Sequence, residues 1–586
     1  MIKTLLAQVK QYKRATILTP LCAALEVFME TLIPYVTASL IDEGIQKSNM
    51  KMILLYGGVM LLLAFASLAF GVIAAKTAST ASTGFAANLR KAMYENIQTF
   101  SFANIDKFST AGLVTRMTTD VTNLQNAFQM CLRIAVRAPL TLLSSIIMCF
   151  VISPSLSLIF VAAMVLLGVA LFAIVIHVSK IFTQVFEKYD GLNASVQENV
   201  SAIRVVKAFV REGHETEKFN LAAKALYNLS VKAEAFIALN SPVMMSVVYG
   251  CVILLSWLGA KSVVGGTLTT GNLTSLFSYV MSMLMSLMML SMIFVMLTMS
   301  IASGRRIAEV LNEKASLANP EKPEMTVKDG SVDFNHVTFA YKHGTGEPTL
   351  KDVDLHIRSG ETIGVIGGTG CGKSTLVSLI SRLYDVDDGS VCVGGLDVRK
   401  YDMEALRNQV AVVLQKNVLF SGTILENLRW GKEDATLEEC REACAQACAD
   451  EFIDKLPDGY ETHIEQGGTN VSGGQKQRLC IARALLKSPR VLILDDSTSA
   501  VDTATDAKIR RAFNTKIAGT TKIIIAQRVG SVMEADRIIV MDEGAVVAFD
   551  NHENLLKNSE IYREIYETQT QGGGDFDQPG QGGEQA

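Results

Sequence analysis

Long apolar stretches without charged side chains dominate the N-terminal half of this 586-residue chain. Residues 52–75 and 138–176 carry no charge, and residues 235–304 carry only Lys261. A helix that crosses a bilayer needs about 20 apolar residues. These stretches predict five spans once the second is divided at Ser153-Pro154-Ser155 and the third at the turn-rich residues 265–272. With a sixth, weaker span, the predicted set is residues 15–41, 52–75, 134–152, 156–178, 236–260 and 273–302.

The first predicted span is weaker because it contains two carboxylates, Glu26 and Glu30, one helical turn apart. A carboxylate inside a membrane is energetically costly and usually faces a cavity or a partner. These two could attract a cationic cargo. They could equally bond to polar groups inside the helix bundle or lie near the lipid headgroups, and the sequence leaves the choice open.

Basic residues concentrate at every second connection between the predicted spans. This asymmetry predicts that these connections and both chain ends are cytoplasmic. We expect no cleaved signal peptide, because no small-residue cleavage site follows a short apolar core. The basic residues concerned are Lys3, Lys10, Lys13, Arg14, Lys76, Arg90, Lys91, Lys180, Lys188, Arg305 and Arg306.

The two long connections on the cytoplasmic side, residues 76–133 and 177–234, are too long to be turns. Both keep apolar residues at helical spacing among charged ones, and both contain very little Gly or Pro. This pattern predicts that the spans continue as helices beyond the membrane.

From about Asp329 the pattern changes to short β-rich runs that alternate with helical stretches. Such alternation is typical of an α/β domain. The runs that carry the prediction are residues 332–334, 362–366, 410–414 and 522–525.

A glycine-rich loop follows one of these runs and precedes a helical stretch, which is the order of a phosphate-binding loop. Its backbone N–H groups can converge on phosphate oxygens, and the helix presents its positive end to the anion. Lys373 can reach the β and γ phosphates, and the Ser374 hydroxyl can ligate Mg²⁺, so ATP and Mg²⁺ are the expected cofactors. The loop reads Gly367-Gly368-Thr369-Gly370-Cys371-Gly372-Lys373-Ser374-Thr375.

The predicted fold class is a membrane all-α domain of six helices followed by a cytoplasmic α/β P-loop ATPase domain. We expect the transmembrane domain at residues 1–315, the ATPase domain at 316–571 and a disordered tail at 572–586, where apolar residues are too few to fold. The chain is 49% hydrophobic with a net charge of −4. Its ten cysteines include Cys440, Cys444 and Cys448, whose spacing is not that of a metal site and predicts packing residues.

Five motifs in order resemble those of ABC transporter ATPases, joined to six spans as in a half-transporter of the exporter type (the multidrug and lipid exporter branch). The resemblance implies an adenine-stacking aromatic, Tyr341, and a Q-loop residue, Gln415, that reaches the metal and the attacking water. It also implies a Walker B strand ending at the metal-binding Asp495. Nucleotide-binding signature residues would be Ser472, Gly473, Gly474 and Gln475, and the D-loop would be Ser499-Ala500-Val501-Asp502.

In this family two ATPase domains enclose two nucleotides, and each signature serves the phosphate loop of the opposite subunit. One chain carries one loop and one signature, so the resemblance implies that it pairs with a second half-transporter. The family also places short coupling helices in the cytoplasmic connections, here expected at Phe102–Phe108 and Glu212–Phe219, where they would dock on ATPase domains.

Two residues at the expected catalytic positions depart from the family pattern. The position after Asp495 is normally Glu, which positions the attacking water, and here it is the shorter Asp496. The switch His is replaced by Gln527, whose amide can donate a hydrogen bond but cannot carry a proton. Together they predict a site that binds ATP well and hydrolyses it slowly.

The intact signature beside these departures predicts a bacterial heterodimeric exporter with one degenerate site, in the cytoplasmic membrane. The partner would carry Glu and His at the matching positions and hold the competent site. A homodimer with two slow sites remains the alternative. Two alternative functions use the same fold, an importer and a lipid flippase. An alternative from another class is an ATP-gated channel or regulator.

A row of methionines in the last predicted span bears on the cargo. Met is flexible and polarisable, which suits a surface that accepts varied apolar molecules, but the same row could serve helix packing or lipid contact. We therefore expect hydrophobic or amphipathic cargo, such as drug-like molecules, lipids or peptides, and no nucleic acid. The row comprises Met281, Met285, Met288, Met292, Met296 and Met299.

Overall fold

The computed structural model describes residues 1–341, 347–496 and 503–571. The chain divides into two compact units. The first, called the membrane unit, comprises Met1–Gln98 and Thr110–Glu313, and the second, called the nucleotide unit, comprises Thr99–Ser109 and Lys314–Ala586. The tail predicted at residues 572–586 lies outside the described residues.

The membrane unit is built entirely of helices. The break predicted at Ser153-Pro154-Ser155 separates two of them, because Ser153 is extended (φ −156°, ψ 102°) and Pro154 opens the next helix. Proline suits that position since it lacks the N–H that a first helical turn leaves unbonded. The helices are α1 (Ile2–Ala7), α2 (Lys13–Ser39), α3 (Met50–Gln98), α5 (Thr110–Thr115), α6 (Val121–Ile152), α7 (Pro154–Ser201), α8 (Ile203–Ala208), α9 (Glu212–Ala238), α10 (Asn240–Val264) and α11 (Thr270–Asn312).

Several of these helices extend far beyond the apolar stretches. Helix α3 has 49 residues and α7 has 48, so the residues expected to continue the spans are helical. Five helical stretches among the described residues are long and apolar enough to cross a membrane, and Pro154–Ala170 is a shorter apolar helix. The bounds of the spans themselves remain predictions.

One expected coupling helix is wrong in position. Residues 212–219 form the start of the 27-residue helix α9, and the short helix of this connection is α8 instead. The chain leaves α8 through Val210, which has a positive φ of 51°. Val is a β-branched residue that rarely adopts this conformation, so the residue pattern gave no signal for a break there.

Apolar side chains from α6, α7, α10 and α11 form the main core of the membrane unit. Leu167, Leu255 and Leu276 are completely buried in it. A polar group in such an apolar interior must be hydrogen-bonded. For example, the Tyr279 hydroxyl donates to the Thr31 carbonyl oxygen at 2.7 Å.

The nucleotide unit begins with one helix from the first half of the chain and continues with an α/β fold. Its helices are α4 (Phe102–Phe108), α12 (Lys373–Ile380), α13 (Met403–Gln409), α14 (Ile424–Arg429), α15 (Leu437–Gln446), α16 (Asp450–Ile453), α17 (Gly473–Leu485), α18 (Thr503–Lys516), α19 (His552–Asn558) and α20 (Glu560–Gln571). Its strands are β1 (Val332–Phe339), β2 (Leu350–Ile357), β3 (Thr362–Gly367), β4 (Asp388–Val393), β5 (Leu396–Asp397), β6 (Val410–Val413), β7 (Gly422–Thr423), β8 (His463–Ile464), β9 (Val491–Asp495), β10 (Thr521–Ile525), β11 (Arg537–Asp542) and β12 (Ala545–Asp550).

A six-stranded sheet in the order β12-β11-β3-β10-β9-β6 forms the centre of the nucleotide unit. Its strands run parallel except β12, which pairs with β11 in the antiparallel direction. Every residue of β9 and β10 is buried, since hydrophobic clusters cover both faces of the sheet. The carboxyl ends of β3, β10, β9 and β6 therefore meet at one edge, where open α/β sheets bind their ligands.

The cysteines of this unit behave as the sequence predicts. Cys440 and Cys444 are fully buried in the cluster that covers one face of the sheet, and Cys448 is 8% exposed there. Burial raises the pKa of the Cys444 thiol to about 12, so this side chain is neutral and unreactive.

Candidate nucleotide-binding site

The glycine-rich loop connects β3 to α12 at the shared edge of the sheet. Gly372 precedes α12 with a positive φ of 97°, and a Cβ there would lie 3.0 Å from the Thr349 carbonyl oxygen. Only glycine fits such a position without strain. At Gly368, by contrast, an added Cβ would meet nothing within 4 Å. One side of the loop is thus packed tightly against the rest of the unit, whereas the other side is open, as a phosphate-binding loop requires.

Lys373 and Ser374 open helix α12 and face the polar groups of the site. The Lys373 ammonium donates to the carbonyl oxygens of Gly367 (2.9 Å) and Gly368 (2.7 Å), so its charge lies over the loop. The Ser374 hydroxyl donates to Asp495 Oδ1 at 3.1 Å. A hydroxyl and a carboxylate side by side are the oxygen ligands that Mg²⁺ prefers, so these residues fit the expected ion.

Asp495 ends β9 and is 6% exposed. Burial raises the pKa of its carboxyl, and the neighbouring Asp496 adds to this effect, whereas the Ser374 hydroxyl and the Lys373 charge oppose it. A divalent cation bound here would favour the ionised carboxylate, which makes Asp495 suited to the metal role that the sequence predicts.

The residues that depart from the family pattern lie together. Asp496 has a positive φ of 47°, and its N–H donates to the Ile525 carbonyl oxygen at the end of the neighbouring strand. Gln527 Nε2 donates to Asp496 Oδ2 at 2.7 Å, and Gln415 Nε2 lies 3.5 Å from the same oxygen. Two amide groups therefore converge on one carboxylate oxygen. This is possible because the three residues follow the adjacent strands β10, β9 and β6.

The predicted adenine-stacking residue, Tyr341, is half-exposed beside the phosphate loop. Its hydroxyl lies 3.0 Å from Thr375 Oγ1, and its ring meets Phe339 and Tyr384 edge-on, with centroids 5.1 and 5.2 Å apart. This arrangement leaves the adenine role a prediction.

Helix α4, at the expected coupling-helix position Phe102–Phe108, lies against this aromatic group. The Tyr384 hydroxyl donates to Asp106 Oδ2 at 2.8 Å, and the rings of Phe102 and Tyr384 meet edge-on at 6.1 Å. Ser101 caps the helix by accepting from Asn104 N–H. The helix predicted to be the first coupling helix is thus docked on the nucleotide unit, and its coupling role stays a prediction.

Tyr384→Phe should loosen α4 without disturbing the aromatic packing. The variant loses one hydrogen bond to an exposed carboxylate, which is worth about 1 kcal/mol. Hydrogen exchange of a peptide covering residues 99–109 should therefore become about fivefold faster. An unchanged exchange rate would show that the bond to Asp106 does not hold the helix.

The signature residues open helix α17. Ser472 is its N-cap, accepting from Gln475 N–H while the Gln475 side chain accepts from Ser472 N–H at 2.9 Å. Both residues thus fix the first turn, where Gly473 and Gly474 leave backbone N–H groups without side-chain cover. The D-loop predicted at Ser499–Asp502 lies outside the described residues.

Sequence reasoning missed Arg137, which pairs with both carboxylates of the first span. Its Nη1 donates to Glu26 Oε1 at 2.7 Å, and its Nη2 donates to Glu30 at 2.9 Å. Gly71 makes room for the buried Glu26, since a Cβ there would lie 3.0 Å from Oε1. The sequence signal that could have identified this pairing was the position of Arg137, directly before the uncharged residues 138–176.

The methionine row on α11 is largely exposed within the chain. Met281, Met285, Met288 and Met292 are between 51% and 67% exposed, and Met296 is half-buried. The side chain of Met299 lies outside the described residues. Packing against helices of this chain therefore does not account for the row.

Comparison with known proteins identifies the family. Residues 16–288 match the family model of the ABC transporter transmembrane region, and residues 350–499 match the ABC transporter family model. The chain therefore belongs to the ABC transporters, as an integral membrane protein with its ATPase domain fused in one chain. This confirms the resemblance to an exporter-type half-transporter and the predicted fold class.

Individual relatives extend over nearly the whole chain. The ABC transporter ATP-binding protein YfiB of Bacillus subtilis is 36% identical over 93% of this chain and 94% of its own length. A fatty acid ABC transporter ATP-binding/permease protein of Mycobacterium bovis is 32% identical over 81% and 75%. A bacterial Atm1-family ABC exporter with ATP bound shares the fold, with a TM-score of 0.79, 22% identity, and coverage of 96% and 98%.

Proposed function

We propose that this chain is the degenerate-site subunit of a heterodimeric ATP-driven exporter. The observation that carries the proposal is the convergence of Gln527 and Gln415 on Asp496. The Asp496 carboxylate is one methylene shorter than Glu and is engaged by an amide donor at 2.7 Å. A carboxylate placed in this way is poorly positioned to accept a proton from water, since geometry decides the efficiency of a general base.

In the proposed mechanism the chain's own site holds nucleotide and rarely cleaves it. Lys373 and the loop N–H groups would bind phosphate oxygens. Ser374 and Asp495 would hold Mg²⁺, which would supply neutralisation of phosphate charge. Gln527 can donate a hydrogen bond but cannot take up a proton or carry a positive charge. Ser472 and its helix N-terminus complete the competent site of the partner.

Exposed apolar residues beside α8 support pairing with a second chain. Phe209 is 74% exposed and Val210 is 80% exposed, both outside the predicted spans. Neighbouring apolar side chains exposed to water are typical of a surface that a partner covers. We propose a second half-transporter, with Glu and His at the positions of Asp496 and Gln527, as that partner.

The proposed setting is a bacterial cytoplasmic membrane with both chain ends in the cytoplasm, and the proposed cargo is hydrophobic or amphipathic. The exposed methionines of α11 and the fatty acid transporter among the relatives support this class of cargo. Arg137 pairs with both Glu26 and Glu30, so a cation of the chain itself contacts the two carboxylates that could have attracted a cationic cargo.

Purification of the assembly from native membranes, followed by transport in inverted vesicles, tests the proposal. We expect a different half-transporter to accompany this chain, and a lipophilic dye to accumulate above its outside concentration with ATP but not with a non-hydrolysable analogue. A pure homodimer would refute the heterodimer. Equal dye concentrations on both sides would indicate a gated channel instead of a pump.

A further inference from the structure

The last helix of the nucleotide unit is firmly anchored beside the strand that leads to Gln527. Tyr562 of α20 is completely buried, and its hydroxyl lies 2.7 Å from His552 Nδ1. Ile565 and Tyr566 pack against the cluster that contains Ala526 and Val529. Helix α20 therefore has a fixed position relative to the segment that follows β10.

Gln569, near the end of α20, bonds to the backbone on both sides of Arg528. The Val529 N–H donates to Gln569 Oε1 at 2.8 Å, and Gln569 Nε2 donates to the Gln527 carbonyl oxygen at 2.9 Å. Arg528 between them is extended (φ −101°, ψ 129°). The side-chain amide thus pairs with this segment as the backbone of a neighbouring strand would.

The bond from Gln569 to the Gln527 carbonyl oxygen matters because Gln527 lies at an exposed position. Its side chain is exposed, and so is that of Arg528, whereas the flanking Ala526 and Val529 are buried. An exposed side chain gains little from packing, so its direction depends on the backbone from which it starts. Gln527 Nε2 nevertheless reaches Asp496 Oδ2 at 2.7 Å.

We propose that Gln569 is a positioning residue for the nucleotide site: its amide fixes the backbone of Gln527, which aims the Gln527 amide at Asp496. Through this one side chain, helix α20 then controls how long the site retains its nucleotide. This inference rests on the proposed function, in which the chain's own site retains nucleotide.

The test uses the full assembly in lipid nanodiscs and compares Gln569→Ala with the matched control Glu567→Ala, an exposed residue on the same helix. The assembly is loaded with 8-azido-ATP, chased with unlabelled ATP and then irradiated. The label that remains cross-linked to this chain reports how much nucleotide its own adenine site has released. We expect nucleotide release to be about fivefold faster in Gln569→Ala, because the variant loses one to two hydrogen bonds. Release should be unchanged in the control. Exchange of the Val529 amide hydrogen should also become faster in Gln569→Ala only.

A double-mutant cycle separates positioning from general stability. If Gln569 acts through the Gln527 side chain, Gln569→Ala should have no effect on release in a Gln527→Ala background. An equal effect in both backgrounds would overturn the positioning role. So would faster exchange at Val529 without faster release, because Gln569 would then hold the loop but not the nucleotide.

The outcome is distinguishable from failure of the proposed function. An assembly that contains only this chain would refute the heterodimer, yet the coupling between Gln569 and Gln527 could still be measured on it. Absence of coupling in a proven heterodimer would overturn only the role of Gln569.

Discussion

Replacing Asp496 with Glu and Gln527 with His together should raise ATP turnover at this chain's own site by about 100-fold. The longer Glu carboxylate would extend toward the attacking water, and His can carry the charge and proton that Gln cannot. The Gln527 amide that now donates to Asp496 would be removed in the same step. Fast hydrolysis therefore requires that both Asp496 and Gln527 are replaced.

The measurement is single-turnover hydrolysis by an assembly whose partner site has been inactivated, so that only this chain's site contributes. Each single variant serves as a control, and we expect either one to recover only a small part of the increase, because residues that act as a unit are not additive. Brisk hydrolysis by the unaltered site, or no increase in the double variant, would contradict the degenerate-site proposal.

Arg137→Ala should destabilise the membrane unit by about 3 kcal/mol, because it leaves two carboxylates without their shared counter-charge. Glu26 is only 5% exposed, so its charge has no access to solvent that could replace the pairing. For a unit of about 300 residues such a loss corresponds to a melting temperature lower by about 5 °C.

Arg133→Ala provides the matched control, one turn earlier on the same helix and with about the same intermediate exposure. Thermal unfolding in nanodiscs should show a shift several times smaller for this variant. A triple variant with Gln at positions 26, 30 and 137 should recover most of the lost stability, because a neutral network carries no unpaired charge. If Arg137→Ala and Arg133→Ala unfold alike, the ion pairs contribute nothing to stability.

The strands at the site could be predicted from the sequence because they are buried on both faces. Parallel strands covered by helices are nearly continuous apolar runs, and residues 491–495 and 521–525 fit that description. Their order in the sheet leaves no trace in the local pattern. The sequence therefore identified Asp496, Gln527 and Gln415 separately, but not that both amides reach one carboxylate oxygen.

Other contacts could not be predicted because they join residues far apart in the chain. Arg137 lies more than 100 positions from Glu26, and Gln569 is one of several polar residues on an ordinary surface helix. Neither carries a local signature, whereas the phosphate loop does, because its glycines and helix must follow one another in sequence. Contacts of this kind require the folded chain.

The exposed pair Phe209 and Val210 has a consequence for how cells make this protein. If a second half-transporter covers them, as proposed, a copy synthesised without that partner would keep these side chains in water. Exposed apolar surfaces of this kind are bound by chaperones or degraded. Proteolysis of the surplus would then bring the two subunits to equal abundance, even when their messages are translated at different rates. Pulse-chase labelling in cells that lack the mate should show a shortened lifetime, and Phe209→Ser should lengthen it again.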